Sequence, residues 1–297
     1  MNPVDKKCRI GFIGDIMDLN GKALKVSESL KGFFSDCDVL IGNFEATLTH
    51  ARKPWITDLR HDGKVLEGLA ALFPPERTFL SVANNHAGDF SPEIFMDSCR
   101  RVEGAGFNIF GTVDRPFAEV VDQVRVYTAS RWSNKPTRLI PDMGFVDTFD
   151  TGRSGFHVFY PHWGWEFEMF PRLEIIGEAR RFLARFDAVI GHHSHTPQPV
   201  CAHETSGVVK PVAYSLGNFC FGRPFRNYYF GLALKMDIGL LLGQSGSKVA
   251  RWAAGECTWS FLQCRFLNSR ELLIDLTEEL PLHLSSRTSC AAQRSRR

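Results

Sequence analysis

Six short apolar runs in this chain each stop at side chains that bind metals or make hydrogen bonds. "IGFI" is followed by Gly14-Asp15, "DVLIG" by Asn43 and Glu45, and "FLSVA" by Asn84-Asn85-His86. "FHVFYP" leads to His162 and Glu166, "DAVIG" to His192, His193 and His195, and "VAYSL" to Gly217 and Asn218. Short apolar runs bounded in this way read as buried strands. Ligands of open α/β folds bind outside the carboxyl ends of the strands, so these groups can converge on one site. Five of the ten histidines belong to the set.

Helical patterns separate the runs, which makes the expected class α/β at first and β-rich later. Residues 21–34 read as a helix with Leu24, Leu30 and Phe33 on its inner side. Residues 62–73 read as another, with Asp62 as N-cap. Ser91 as N-cap, Pro92 at the first helical position and Gly104 near the end mark a third helix, and residues 171–186 fit a fourth. Strands are expected near 107–110, 123–129 and 156–161, then in "VAYSLGNF" and "YYFGLALKMDI", with "GLLLGQSGSK" turning between two strands. This places a catalytic-type domain at residues 1–240. Residues 241–297 are expected to add strands, an amphipathic segment and a frayed basic tail, "QRSRR".

A chain of 297 residues buries a sizeable core, as one large domain or two small ones. The 25 Phe against 5 Tyr point to an aromatic-rich core. A net charge of +2 gives no electrostatic reason to expect nucleic acid or a membrane surface as partner. The eight cysteines form no CxxC pair and read as scattered small core residues of a reducing compartment. The apolar run from Ile10 is broken by glycine and ends at Asp15, unlike a signal peptide, and no membrane-spanning stretch is apparent. The expected location is the cytoplasm.

Each motif has a plain reading by itself. Asp15 can close a turn, Asn84-Asn85 can form one, "HWGWE" can be an aromatic rim, and "GHHSH" can be a solvated loop. Taken together, these readings require unrelated strand ends to carry ligand-type residues by chance. Imidazole, carboxylate and amide oxygen suit Mn, Fe or Zn better than Mg or Ca. The ligands outnumber the needs of one tetrahedral zinc, and a pair of ions sharing a carboxylate accounts for them.

"GDIMD", "GNFEATLT", "ANNHAGDF", "HWGWE", "GHHSH" and "YSLGNF", in this order, resemble the CapA/PgsA family of poly-γ-glutamate capsule-biosynthesis proteins. The resemblance runs from about residue 9 to 235. It implies a calcineurin-like metallophosphatase fold, a four-layer α/β/β/α sandwich with two divalent transition metals between the sheet ends. It also implies residue roles. Asp15 resembles the first-strand ligand and Glu45 the bridging carboxylate. Asn85 resembles a metal ligand, with His86 facing the phosphate as donor or acid. His162, His193 and His195 resemble the remaining ligands. Asn43, Asn84, Glu166, His192 and Asn218 are expected in or just behind the ligand shell. The usual Asp-x-His of the first strand is replaced by Asp15-Ile16-Met17, which leaves one ion short of a ligand unless Glu166 or His192 supplies it.

The expected function is a metal-dependent hydrolase, a phosphoesterase using a metal-activated water. The alternatives are a non-catalytic accessory protein of poly-γ-glutamate or other anionic-polymer synthesis and, less favoured, a metal-dependent amide hydrolase. The partner is an anionic small molecule or polymer, which Arg131, Arg223 and Arg226 can hold.

Overall fold

The apolar runs become the central strands of two sheets. The computed structural model describes residues 1–17, 21–152, 154–222, 229–243 and 248–280. In the larger sheet the strands lie in the order Ala23–Val26, Glu271–Thr277, Lys248–Phe266, Phe230–Leu242, Val4–Met17, Val39–Phe44, Thr78–Ser81 and Asn108–Phe110. Asn218–Phe221 pairs in parallel with the end of Val4–Met17. The smaller sheet runs Val200–Thr205, Val208–Ala213, Ala188–Ile190, Phe156–Phe159, Val124–Tyr127 and Phe117–Val121. Its four inner strands are parallel.

Alternate side chains of each strand point to opposite faces, and this divides the core. Ile10, Phe12 and Ile41 of the larger sheet pack with Val126, Val158 and Ile190 of the smaller one. On the other face of the larger sheet, Ile13 and Leu40 meet the helices Glu28–Phe34, Lys64–Leu72 and Pro92–Gly104 through Leu30, Phe34, Leu69 and Val102. On the other face of the smaller sheet, Phe159 and Val189 meet the helix Leu173–Phe182 through Ile175, Ala179 and Phe182. Strands covered on both sides read as continuous apolar runs rather than as alternation, which is why they stood out.

The helix expected over 21–34 is shorter. Ala23–Val26 is instead an edge strand, pairing in parallel with Glu271–Thr277. The helix starts after Ser27, whose hydroxyl accepts from the Leu30 amide at 3.2 Å. Tertiary pairing overrides local helix periodicity here, and Phe34 rather than Phe33 is the buried ring. The Ser91-Pro92 start is found as expected, whereas the fourth helix spans only Leu173–Phe182. The strands after residue 240 extend the larger sheet next to Phe230–Leu242. The centre of "GLLLGQSGSK", the tail "QRSRR", Arg223 and Arg226 lie outside the described residues.

Two contacts lock the sheets together near the carboxyl ends of their strands. Tyr160 Oη donates to the Ile13 carbonyl at 2.6 Å, and Ser81 Oγ lies 3.0 Å from Thr128 Oγ1. Gly14 sits where two chain segments nearly touch, since a Cβ there would lie 1.9 Å from the Gly217 carbonyl oxygen. Gly14→Ala is therefore expected to destabilise the protein by about 1–3 kcal/mol, the usual cost of forced overpacking. Thermal and denaturant unfolding would measure this, and an unchanged midpoint would mean that the two segments separate easily.

Candidate metal centre

Sheet register brings the first ligand candidates together. Asp15 lies beside Asn43 on one neighbouring strand and beside Asn218 on the other. In the smaller sheet His162 pairs with His192. The sheets then meet, with the His193 amide donating to Asp15 Oδ2 at 3.0 Å. Asp15, Glu45, Asn85, His162, His192, His193 and His195 are all buried. This excludes the plain alternative of "GHHSH" as a solvated loop. His193 and His195 have φ of 95° and 56°. Such conformations are uncommon outside glycine and cluster at functional sites.

Four sets of donor atoms lie close enough to share an ion. They are Asp15, His162 and His192; Glu45, His162 and His193; Glu166, His193 and His195; and Asp15, Glu45 and His195. Glu45 belongs to two sets, as a shared carboxylate would. Its Oε1 lies 3.7 Å from His162 Nε2 and 3.7 Å from His195 Nε2, too far for hydrogen bonds. Asn85 Oδ1 faces His162 Nε2 at 2.8 Å. Glu166 is exposed, yet its carboxylate reaches His193 and His195. Met17 is buried with Ala46, Leu59 and Phe221, so its thioether belongs to an apolar cluster.

The remaining polar groups orient the donors. Asn43 Nδ2 donates to Asp15 Oδ1 at 2.8 Å and to Glu45 Oε2 at 3.2 Å. Asn84 Nδ2 in turn donates to Asn43 Oδ1. Asn218 Oδ1 lies 3.0 Å from His195 Nδ1 and fixes that ring. Asn43, Asn84 and Asn218 are thus placed to support the ligand candidates, an arrangement also found behind metal ligands.

The residues fit a cation. Glu45 Oε1, His192 Nε2 and His193 Nδ1 are buried without a hydrogen-bond partner among the described residues. Buried polar atoms are rarely left so without a function. Burial by itself would raise the Asp15 carboxyl, but His192 and His195 outweigh it and hold it well below the usual range. Burial, then the Asp15 charge, pushes Glu45 well above its usual range. Burial, reinforced by neighbouring imidazoles, holds His162 and His193 well below theirs. At His195 burial is overcome by the hydrogen bond to Asp15, and the pKa rises. The lowered pKa values favour the neutral, ligand form of His162 and His193, and a bound cation would balance the buried Asp15 and Glu45 carboxylates.

His86 is buried beside this cluster, with Nδ1 2.7 Å from Asp89 Oδ2. Asp89 also accepts from the Leu59 amide at 2.7 Å, and Lys135 donates to the Asp89 carbonyl. Asn134 Nδ2 lies 3.4 Å from both ring nitrogens of His86. Asp89 and Asn134 were not among the expected residues. Asp89 carried a signal, three residues after His86 in "ANNHAGDF". Asn134 carried none, because its loop reaches the site only in the folded chain. Arg131 pairs with Glu178.

Residues 10–126 and 146–223 match the family described as bacterial capsule synthesis protein PGA_cap. The chain belongs to this family. The matched segments of this capsule-synthesis family contain every ligand candidate named above. Among solved structures, the chain is similar to a hypothetical protein from Thermus thermophilus, with 15% identity, 92% of this chain and 100% of that chain covered, and a TM-score of 0.47. It is also similar to a protein described as a novel phosphatase, from Mycoplasma pneumoniae, with 12% identity, 96% and 98% coverage and a TM-score of 0.47. No curated protein matches. Among the described residues, no helix is long and apolar enough to cross a membrane.

Proposed function

We propose that this member of the capsule-synthesis family is a metal-dependent phosphoesterase. One observation carries the reading: Glu45 Oε1 is buried, has no hydrogen-bond partner among the described residues, and lies equidistant from two imidazole nitrogens that follow different strands. The fold reading that goes with it is a four-layer α/β/β/α sandwich, supported by the three apolar clusters that alternate with the two sheets.

Asp15, Glu45, Asn85, His162, His193 and His195 would hold two divalent ions of the Mn, Fe or Zn class. Such a pair, when bound, supplies a nucleophilic water and neutralises phosphate oxygens. The chain's own contribution is orientation. Asn43 ties Asp15 to Glu45, Asn218 sets the His195 ring, and Asp89 engages His86 Nδ1 so that Nε2, beside Asn134, would exchange a proton with the leaving oxygen. An accessory role in assembling an anionic polymer is the second reading, supported by the family description. A screen of phosphoesters with purified protein and Mn²⁺, alongside metal analysis, separates the two. Bound metal without hydrolysis of any ester favours the accessory role.

Met17 in place of a histidine leaves the ion nearest Asp15 with fewer strong donors. Titration of Mn²⁺ into metal-free protein is expected to show two steps, with hydrolysis beginning at the weaker one. Glu166→Ala or His192→Ala should remove the weaker step and leave the tighter one, because the Glu166 carboxylate lies with His195 and the His192 ring with Asp15. A single step for both ions, insensitive to both changes, would assign the missing donor elsewhere.

A further inference from the structure

A cleft of about 380 Å³ opens beside the metal centre and shares Asn85 and His193 with it. That is the size of a small-molecule pocket. Its other lining groups include Trp132, Trp165, Glu166 and Arg172. The two indoles meet edge to face, with centroids 5.6 Å apart. Trp132 lies 6.3 Å from the His193 ring. Its Nε1–H is already used, donating to the Gly164 carbonyl at 2.6 Å, so the ring is held and its faces are what it offers. The Arg172 guanidinium stacks over one face of Trp165, 4.0 Å from its centroid, and Arg131 lies 5.9 Å from the same ring, so Trp165 is held as a wall beside Trp132.

Charge points the same way. The cations around this cleft are matched by carboxylates. Arg172 is bidentate to Glu168, Arg131 pairs with Glu178, and Lys135 pairs with Asp58. A polyanion tracking through the cleft would need a row of unmatched positive charge. The described residues present aromatic surface instead, the Trp132 ring beside His193 and the Trp165 ring backed by Arg172. We propose that Trp132 and Trp165 form a stacking cradle that selects phosphoesters whose alcohol carries a flat ring face, a nucleobase or a pyranose, and sets that ring next to the metal centre. The proposal rests on the phosphoesterase reading for the position of the phosphate. The cradle itself is read from the rings and their paired cations.

The test uses the full chain with Mn²⁺ and three esters: adenosine 5′-phosphate, glucose 6-phosphate and glycerol 3-phosphate. Binding of each is also measured by calorimetry, independently of turnover. The wild type should prefer a ring-bearing ester to glycerol 3-phosphate. Trp132→Ala and Trp165→Ala should each shrink that preference by about 5–150-fold, the range of one lost base–aromatic stack, with the loss in KM rather than kcat. Trp132→Phe and Trp165→Phe keep a ring face and should restore most of it, which guards against a folding defect. Loss confined to adenosine 5′-phosphate assigns a nucleobase, and loss confined to glucose 6-phosphate assigns a pyranose. Equal losses on all three esters would overturn the cradle. If no ester is hydrolysed, the phosphoesterase reading fails and binding decides. Indole-dependent binding of a ring-bearing ester then upholds the cradle, and its absence overturns it.

Discussion

Replacing His193 and His195 together by alanine is expected to strip most of the transition metal from the purified protein. Three of the four donor sets contain one or both of these imidazoles, and only Asp15, His162 and His192 would remain intact. Changes merely behind a ligand shell lower metal affinity by about 10–100-fold, so the loss of two ligands should exceed that. Elemental analysis after dialysis against Mn²⁺ gives the content directly. Both positions have positive φ, which alanine tolerates poorly. A second variant, His193→Asn with His195→Asn, controls for this because asparagine adopts that conformation more readily. Unchanged metal in both variants would turn the buried imidazoles into a hydrogen-bonded core feature.

His86→Asn should leave metal content nearly unchanged and lower turnover by about 10²–10⁴-fold, the usual range for a proton-transferring group. Nδ1 faces the Asp89 carboxylate at 2.7 Å, so the ring is held in one orientation without belonging to any of the donor sets. Asp89→Asn should act through that orientation and give a smaller loss, again with metal retained. Parallel loss of metal and turnover in His86→Asn would make His86 a ligand. Turnover close to wild type would mean that His86 transfers no proton to the leaving oxygen.

Much of the candidate site was legible because of how buried parallel strands are written. Runs such as "DVLIG" and "DAVIG" are covered on both faces, so they appear as unbroken apolar segments, and the polar residues at their ends stand out against them. Asp15, Glu45, Asn85, His162, His193 and His195 were all readable in this way, and the fold buries them together. Local chemistry likewise marked the Ser91-Pro92 helix start, where a capping hydroxyl and a proline leave little choice. Residues whose role depends on packing between distant segments were not readable. Ala23–Val26 became a strand because Glu271–Thr277 lies beside it, some 250 residues away. Met17 was seen as an absent histidine, but only the fold shows that its neighbours are apolar. Trp132 and Asn134 lie on a loop with no motif, and they matter because that loop crosses to Asn85, His86 and His193. The sequence by itself determined which residues end the strands, since hydrophobic periodicity is a local property. Which of those ends meet, and which indoles wall the space beside them, was decided by sheet register and by the packing of one sheet on the other, and these depend on contacts between segments far apart in the chain.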